Sequence, residues 1–394
     1  MRVLICDDSS FMRKAIAMLL DKEPDIQVVD TARNGEDALE KIRKLTPDVV
    51  TLDLEMPVLD GMGVLTRLRA EFPIHARPAI LVCSTLTSKG SHEALKAMML
   101  GAADVIFKDT AGIGGGGESI KQELLAKLRA IDESHSWRRK PRTEHATRPA
   151  STLHATGRLD LLKGAPAPLD GDRLVRDLNL RESDIKLVAI GSSTGGPPVL
   201  EHILSALPKD MNCPVVVAQH MPPLFTKSLA ERLAQLCAVK VIHADAPMPL
   251  RAGCAYIIVG GKHGRISGVP GALRIDISER PTTALYRPSV DELLQSAADI
   301  TKAHTLGVVL TGMGDDGARG GKSLFDTGAK TIAQDGESCV VYGMPRSLVQ
   351  ASAASASARP DAIAHAVAAI SVSGTVRKDA AQVPWRTRSS RDAA

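Results

Sequence analysis

At 394 residues the chain is longer than one ordinary domain and suits two joined by a connecting segment, and its 44% hydrophobic and 24% charged content is that of a soluble globular protein. The net charge of +4 is spread along the chain rather than gathered on one face, which excludes the usual basic footprint of a nucleic-acid binder. No apolar stretch approaches the roughly 18–20 residues of a membrane span; the six cysteines lie far apart with no CxxC pair, and Met1–Cys6 runs directly into Asp7 and Asp8 rather than into a signal peptide, so reduced thiols and a cytoplasmic location are expected.

Residues 1–131 alternate short apolar runs of buried-strand type with helical patterns. Strands are predicted at Val3–Cys6, Ile26–Thr31, Val49–Leu54, Ile80–Cys83 and Val105–Phe107. Helices are predicted at Arg13–Leu20, Gly35–Leu45, Gly63–Glu71, Ser91–Leu100 and Glu118–Ile131, the last with Ile120, Leu124, Leu125, Leu128 and Ile131 on one face. Strict alternation predicts a doubly wound, five-stranded parallel α/β sheet.

From 132 to 183 the periodicity fades, and Arg138–Arg142 and Ala165–Pro168 have linker composition, so this stretch is expected to be a flexible linker, with one helical turn or two over Arg173–Leu180. A second α/β unit with a parallel sheet is predicted over 184–372, with strands at Leu187–Ile190, Val215–Ala218, Val239–Ala244, Ala255–Val259, Leu306–Leu310 and Thr331–Ala333. The polar residues 373–394 read as a disordered tail.

In the first unit Asp7 and Asp8 follow the first strand and Asp53 ends the third, on the sheet edge where doubly wound folds bind ligands. Three carboxylates there repel one another unless a hard cation such as Mg²⁺ joins them, and a carboxylate can act as a nucleophile toward phosphorus. Lys108 ends the fifth strand, and Ser84 or Thr85 ends the fourth as a hydroxyl to sense a phosphoryl group. Singly, an Asp after a strand is a common helix cap; the joint placement carries the reading. Leu52–Pro57 with Asp60-Gly61 makes residues 1–131 resemble the receiver domains of two-component signalling. That resemblance implies phosphorylation of Asp53 by a histidine kinase, Mg²⁺ held by Asp7, Asp8, Asp53 and the Glu55 carbonyl, and Lys108 on the phosphoryl group. Receivers usually carry proline after that lysine; here it is Asp109.

In the second unit Leu187–Ile190 runs into Gly191-Ser192-Ser193-Thr194-Gly195-Gly196. The glycines are misspaced for a dinucleotide fingerprint, and no Lys-Ser or Lys-Thr follows as in a phosphate cradle. The remaining reading is a nucleophilic serine on a tight strand-to-helix turn. Such a serine needs a base and an orienting acid. His220 ends the strand Val215–Ala218, and the turn Leu310–Gly317 offers Asp315 and Asp316, so three strand ends bring Ser, His and Asp to one edge. Gly191–Gly196, Gln219–Pro223 with Phe225-Thr226, Arg287–Asp291 and Leu310–Gly317 together make residues 185–370 resemble the catalytic domain of chemotaxis protein-glutamate methylesterases, the CheB family. The resemblance implies Ser193 as nucleophile, His220 as base, Asp316 as its orienting carboxylate, and the Thr194 and Met313 amides as oxyanion donors.

The function so implied is phosphorylation-regulated hydrolysis of glutamate methyl esters on chemoreceptors, releasing methanol, with deamidation of receptor glutamines as a second activity. Expected partners are the cytoplasmic domains of methylated chemoreceptors and a histidine kinase, with no nucleic acid and no insertion into a membrane; the hydrolase itself is expected to need no cofactor. A receiver tethered by a linker of roughly fifty residues has a high effective concentration near the catalytic edge, so a docked, inhibitory receiver is expected. A transcriptional regulator is disfavoured by the lack of a helix-turn-helix pattern.

Overall fold

The computed structural model describes residues 1–72, 76–85, 87–108, 118–139, 170–180 and 184–371. The first unit runs β1 (Arg2–Cys6), α1 (Ser10–Leu20), β2 (Gln27–Ala32), α2 (Gly35–Leu45), β3 (Val49–Asp53), α3 (Gly61–Glu71), β4 (Ala79–Thr85), α4 (Ser88–Met99), β5 (Asp104–Lys108) and α5 (Glu118–Arg139). The strands form one parallel sheet in the order β2-β1-β3-β4-β5. The central β3 is buried at every position, whereas the edge strand β2 is largely accessible. Ser9, Asn34, Asp60 and Thr87 each accept an amide from the first turn of the helix that follows, so helix starts are set by local capping.

The expected linker is shorter than its composition suggests. Helix α5 continues past Ile131 to Arg139, and its extension is held by the second unit: the Tyr342 amide donates to Ser134 Oγ (3.4 Å) and Arg346 pairs with Glu133 (3.4 Å). Within the same stretch, α6 (Gly171–Asp177) is capped by Asp170 and buries Leu174, Val175 and Leu178 in the second unit's core. The remainder of the expected linker and the expected tail lie outside the described residues.

The second unit comprises β6 (Leu187–Ser192), α7 (Gly196–Ser205), β7 (Val215–Gln219), α8 (Pro223–Leu236), β8 (Lys240–Ala244), β9 (Met248–Pro249), β10 (Cys254–Ile258), β11 (His263–Val269), β12 (Ala272–Ser278), α9 (Val290–Ile300), β13 (Thr305–Val309), α10 (Ala318–Asp326), β14 (Lys330–Gln334), α11 (Met344–Gln350), β15 (Ala356–Ala358) and α12 (Pro360–Ala368). A seven-stranded parallel sheet has the order β15-β14-β13-β6-β7-β10-β8. The antiparallel sheet β11-β12-β9 was not foreseen: β12 alternates exposed and buried residues, and neither it nor β11 gives a continuous apolar run. One core layer lies under α6, α7, α8 and α12, the other under α9, α10 and α11.

Central β6 pairs with β13 and β7, opposing Gly191 to Val309 and Ser192 to Gln219. The residues after these strands therefore meet at one edge. Close approach of α9 to β6 requires glycine at 191, because a Cβ there would lie 2.1 Å from Val290 Cγ1. Gly191→Ala should therefore destabilise the catalytic unit by about 1–3 kcal/mol, the usual range for overpacking, seen as a lower unfolding temperature.

Candidate active site

Ser193 stands in the turn between β6 and α7. Its amide donates to Thr311 O (3.0 Å), while its carbonyl accepts the Gly196 amide (2.8 Å) and Gln219 Nε2 (2.9 Å). Gly195, in the left-handed region at φ 77°, begins α7, and a Cβ there would strike Val340. Gly312 lies so close to the turn that a Cβ on it would sit 2.7 Å from Ser193 Cβ. The Ser193 turn is thus gripped by two neighbouring loops.

His220 follows β7, with its amide on Ser192 O (3.0 Å). Its Nε2 lies 2.8 Å from Asp316 Oδ2, and its Nδ1 is buried with no hydrogen-bond partner among the described residues. Asp316, 8% exposed, follows β13 at the N-terminus of α9. Oδ1 accepts Ser289 Oγ (2.9 Å) and the Asp291 amide (2.8 Å), and Oδ2 also accepts the Val290 amide (2.7 Å). Burial alone would raise the pKa of Asp316. The hydrogen bond and charge of His220, with the Asp291 and Val290 amides, outweigh burial and hold the carboxyl below its ordinary range. Asp315 is exposed. The geometry therefore brings Asp316, not its neighbour, to His220.

Thr194 and Met313 flank this centre. The Thr194 carbonyl accepts Thr311 Oγ1 (2.9 Å), and Met313 directly follows Gly312, which packs on Ser193. Sequence reasoning missed three contributors. Ser289 both caps α9 and donates to Asp316, and its Ser-x-x-Glu spacing to Glu292 was a readable capping signal. The Gln219 side chain holds the Ser193 carbonyl. Tyr286 stacks on His220, with ring centroids 4.3 Å apart and planes at 11°; nothing local in the sequence marks it.

In the first unit the carboxylates of Asp7, Asp8 and Asp53 converge, each offering an oxygen within 4.8 Å of the others, with Asp7 and Asp53 buried and Asp8 exposed. Three hard oxygen donors at this spacing fit a divalent cation such as Mg²⁺. The Glu55 amide donates to Asp53 Oδ1 (3.3 Å), which keeps the Glu55 backbone beside the cluster. Ser84 is buried at the end of β4, its Oγ on Gly90 O (3.3 Å). Lys108 closes β5 next to Thr85; the side chains of both, and Asp109, lie outside the described residues.

The two units pack together at the catalytic edge. Thr194 Oγ1 donates to Asp104 Oδ2 on β5 (2.5 Å), Phe107 meets Phe225 with ring centroids 4.5 Å apart, and Ser91 Oγ lies 2.8 Å from Ser228 Oγ.

Residues 188–367 match the description of the CheB methylesterase family, and residues 3–112 that of the response regulator receiver domain. A protein-glutamate methylesterase/protein-glutamine glutaminase 1 of Oleidesulfovibrio alaskensis is 43% identical over 93% of this chain and 98% of its own. The chain belongs to the CheB methylesterase family. A protein-glutamate methylesterase/protein-glutamine glutaminase of Bacillus subtilis is 39% identical, covering 89% of this chain and 92% of its own. The crystal structure of the Thermotoga maritima CheB methylesterase catalytic domain is 39% identical with a TM-score of 0.45, covering 47% of this chain and 97% of that one.

A carboxyl whose pKa is lower folded than unfolded stabilises the fold above its unfolded value of about 3.9 and loses that contribution as pH falls through the folded value. For Asp316 the direction is down, so its contribution is full at neutral pH and is lost in acid. The gap in unfolding temperature between the parent and Asp316→Asn should therefore narrow as pH falls from about 5 to about 3. Thermal melts across that range measure it.

Proposed function

We propose that Ser193, His220 and Asp316 form the hydrolytic centre of this methylesterase, acting on γ-glutamyl methyl esters in the cytoplasmic domains of methylated chemoreceptors. The observation that carries this reading is the buried His220–Asp316 pair, at 2.8 Å, on the sheet edge that bears the Ser193 turn. With Nε2 engaged by Asp316, Nδ1 is the nitrogen that takes the Ser193 proton as the hydroxyl attacks the ester carbon. Asp316 anchors one edge of the imidazole and stabilises the imidazolium that forms. The Thr194 and Met313 amides serve the tetrahedral oxyanion; losing one such donor typically costs about 10²–10³ in rate. Collapse of the intermediate expels methanol, protonated by His220. Water then attacks the acyl-serine, with His220 again as base, and leaves the glutamate. A side-chain amide follows the same course with ammonia as leaving group, which accounts for glutamine deamidation.

In the receiver, Asp53 is the phosphate acceptor from a histidine kinase. Asp7, Asp8, Asp53 and the Glu55 carbonyl would hold Mg²⁺, which when bound neutralises charge on phosphoryl oxygens. Ser84 and Lys108 read the phosphorylated state. We take the regulatory unit to extend to the end of α5 at Arg139 and the catalytic unit to begin at Asp170, the cap of α6, a reading supported by the continuity of α5 and by the burial of α6 in the second unit's core. Described residues include no helix long and apolar enough to cross a membrane.

The docked receiver restrains the enzyme. It covers the rim of the site through Phe107 on Phe225, and Asp104 binds the hydroxyl of the residue after the nucleophile. Phosphorylation favours a receiver surface that docks less well, and a shift of about 1.4 kcal/mol changes the docked ratio tenfold.

Methanol release from methylated receptor membranes tests the centre. Ser193→Ala and His220→Ala should each lose on the order of 10⁴–10⁶ in rate, and the double variant should be hardly worse than either. Near-normal release by Ser193→Ala removes the assignment. For the regulation, Phe107→Ala should raise basal activity of the unphosphorylated full chain severalfold and shrink the further stimulation by phosphorylation. Unchanged basal activity with unchanged stimulation means that docking does not inhibit.

A further inference from the structure

The imidazole of His220 is held at one edge by Asp316, yet a single hydrogen bond defines a pivot rather than a plane. The second constraint is Tyr286, whose ring lies flat on the imidazole, centroids 4.3 Å apart and planes at 11°. The backbone around Tyr286 is itself pinned. Arg287 O accepts the Gly261 amide (3.0 Å), Arg287 Nη2 donates to Thr282 O (3.0 Å), and the Ser289 amide donates to His263 Nδ1 (3.2 Å). The phenol end abuts the turn after β13, where a Cβ on Gly314 would lie 3.5 Å from Tyr286 Oη. We propose that Tyr286 is a positioning residue for the reaction: its aromatic face fixes the plane of His220 and stabilises the imidazolium formed in the transition state.

The proposal rests on His220 being the base. A neutral imidazole gains little electrostatically from a parallel ring, whereas an imidazolium over an aromatic face gains from the ring quadrupole, more so where water is excluded. The contribution therefore grows on passing from ground state to transition state and belongs to kcat rather than to KM. Burial, followed by the nearby charges of Asp316 and Asp315, raises the Tyr286 pKa, so the ring stays an un-ionised phenol. The hydroxyl is not required by this role; the flat π face is.

The test uses the full-length chain under fixed phosphorylation conditions, with kcat and KM for methanol release and an unfolding temperature for each variant. Tyr286→Leu fills a similar volume without a π face and should lower kcat about tenfold, with KM and unfolding temperature close to the parent's. Tyr286→Met does the same with a more adaptable chain and serves if the leucine variant is unstable. Tyr286→Phe should restore kcat to near the parent value. Leucine and methionine variants as fast as phenylalanine reduce Tyr286 to packing and overturn the proposal. So does a phenylalanine variant as slow as leucine, which would assign the role to the hydroxyl, or a change confined to KM, which would make the residue a substrate contact. His220→Ala in the same series separates the levels: if it stays active, the base assignment fails. If it is inactive and Tyr286→Leu is not impaired, only the present inference fails.

Discussion

A carboxylate taken out of water needs compensation, and the catalytic unit is arranged around how Asp316 obtains it. Two amides of the first turn of α9, the Ser289 hydroxyl and the His220 ring all donate to it. The helix N-terminus contributes its dipole as well as its unpaired amides. Leaving such a charge without its partners costs several kcal/mol, so α9 cannot shift along the sheet without stranding the Asp316 carboxylate. Asp291, next along α9, accepts the Gly317 (2.9 Å) and Gly320 (2.7 Å) amides and so ties the start of α10 to the same point. The two carboxylates together fix the starts of both helices against the strand ends that carry Ser193 and His220.

The other requirement is close backbone approach. Where the chain turns from β6 into α7, a Cβ on Gly196 would lie 1.9 Å from Ser192 Oγ, and one on Gly312 2.7 Å from Ser193 Cβ. Neither position admits a side chain without moving the turn. The glycines around Ser193 are thus there for proximity, with Gly195 adding a left-handed conformation at the start of the helix. Parallel pairing of β6 with β7 and β13 then brings the three loops together without any of them being adjacent in sequence.

The receiver meets this edge with apolar surface that is shared rather than merely opposed. Phe225 of α8 is fully buried within the receiver's cluster, while Leu95 and Met98 of α4 belong to the catalytic cluster. This apolar exchange and the buried Ser91–Ser228 contact outweigh rim pairs such as His92–Glu231, which is about half exposed and contributes little. Asp104, paired with Lys127 at 3.2 Å, carries the contact to Thr194 itself. Displacement of the receiver would therefore release a contact on the Ser193 turn itself.

Much of this was legible before any coordinates. Unbroken apolar strands such as Leu187–Ile190 can be buried only in a sheet covered on both faces, and the polar residues just beyond them, Asp7, Asp53, Ser193 and His220, then fall on a ligand-binding edge. Capping residues such as Ser9 and Asn34 act within a few positions of themselves and are equally readable. Four features were decided only by packing. Residues 132–139 have linker-like composition yet remain helical because the second unit holds Ser134 and Glu133. The β11–β12 hairpin has no apolar run to announce it and pairs through its backbone. The side-chain contact of Ser289 and the stacking of Tyr286 on His220 depend on distances between segments far apart in the chain. Local pattern specifies what a residue can do; long-range packing decides which residue is placed to do it.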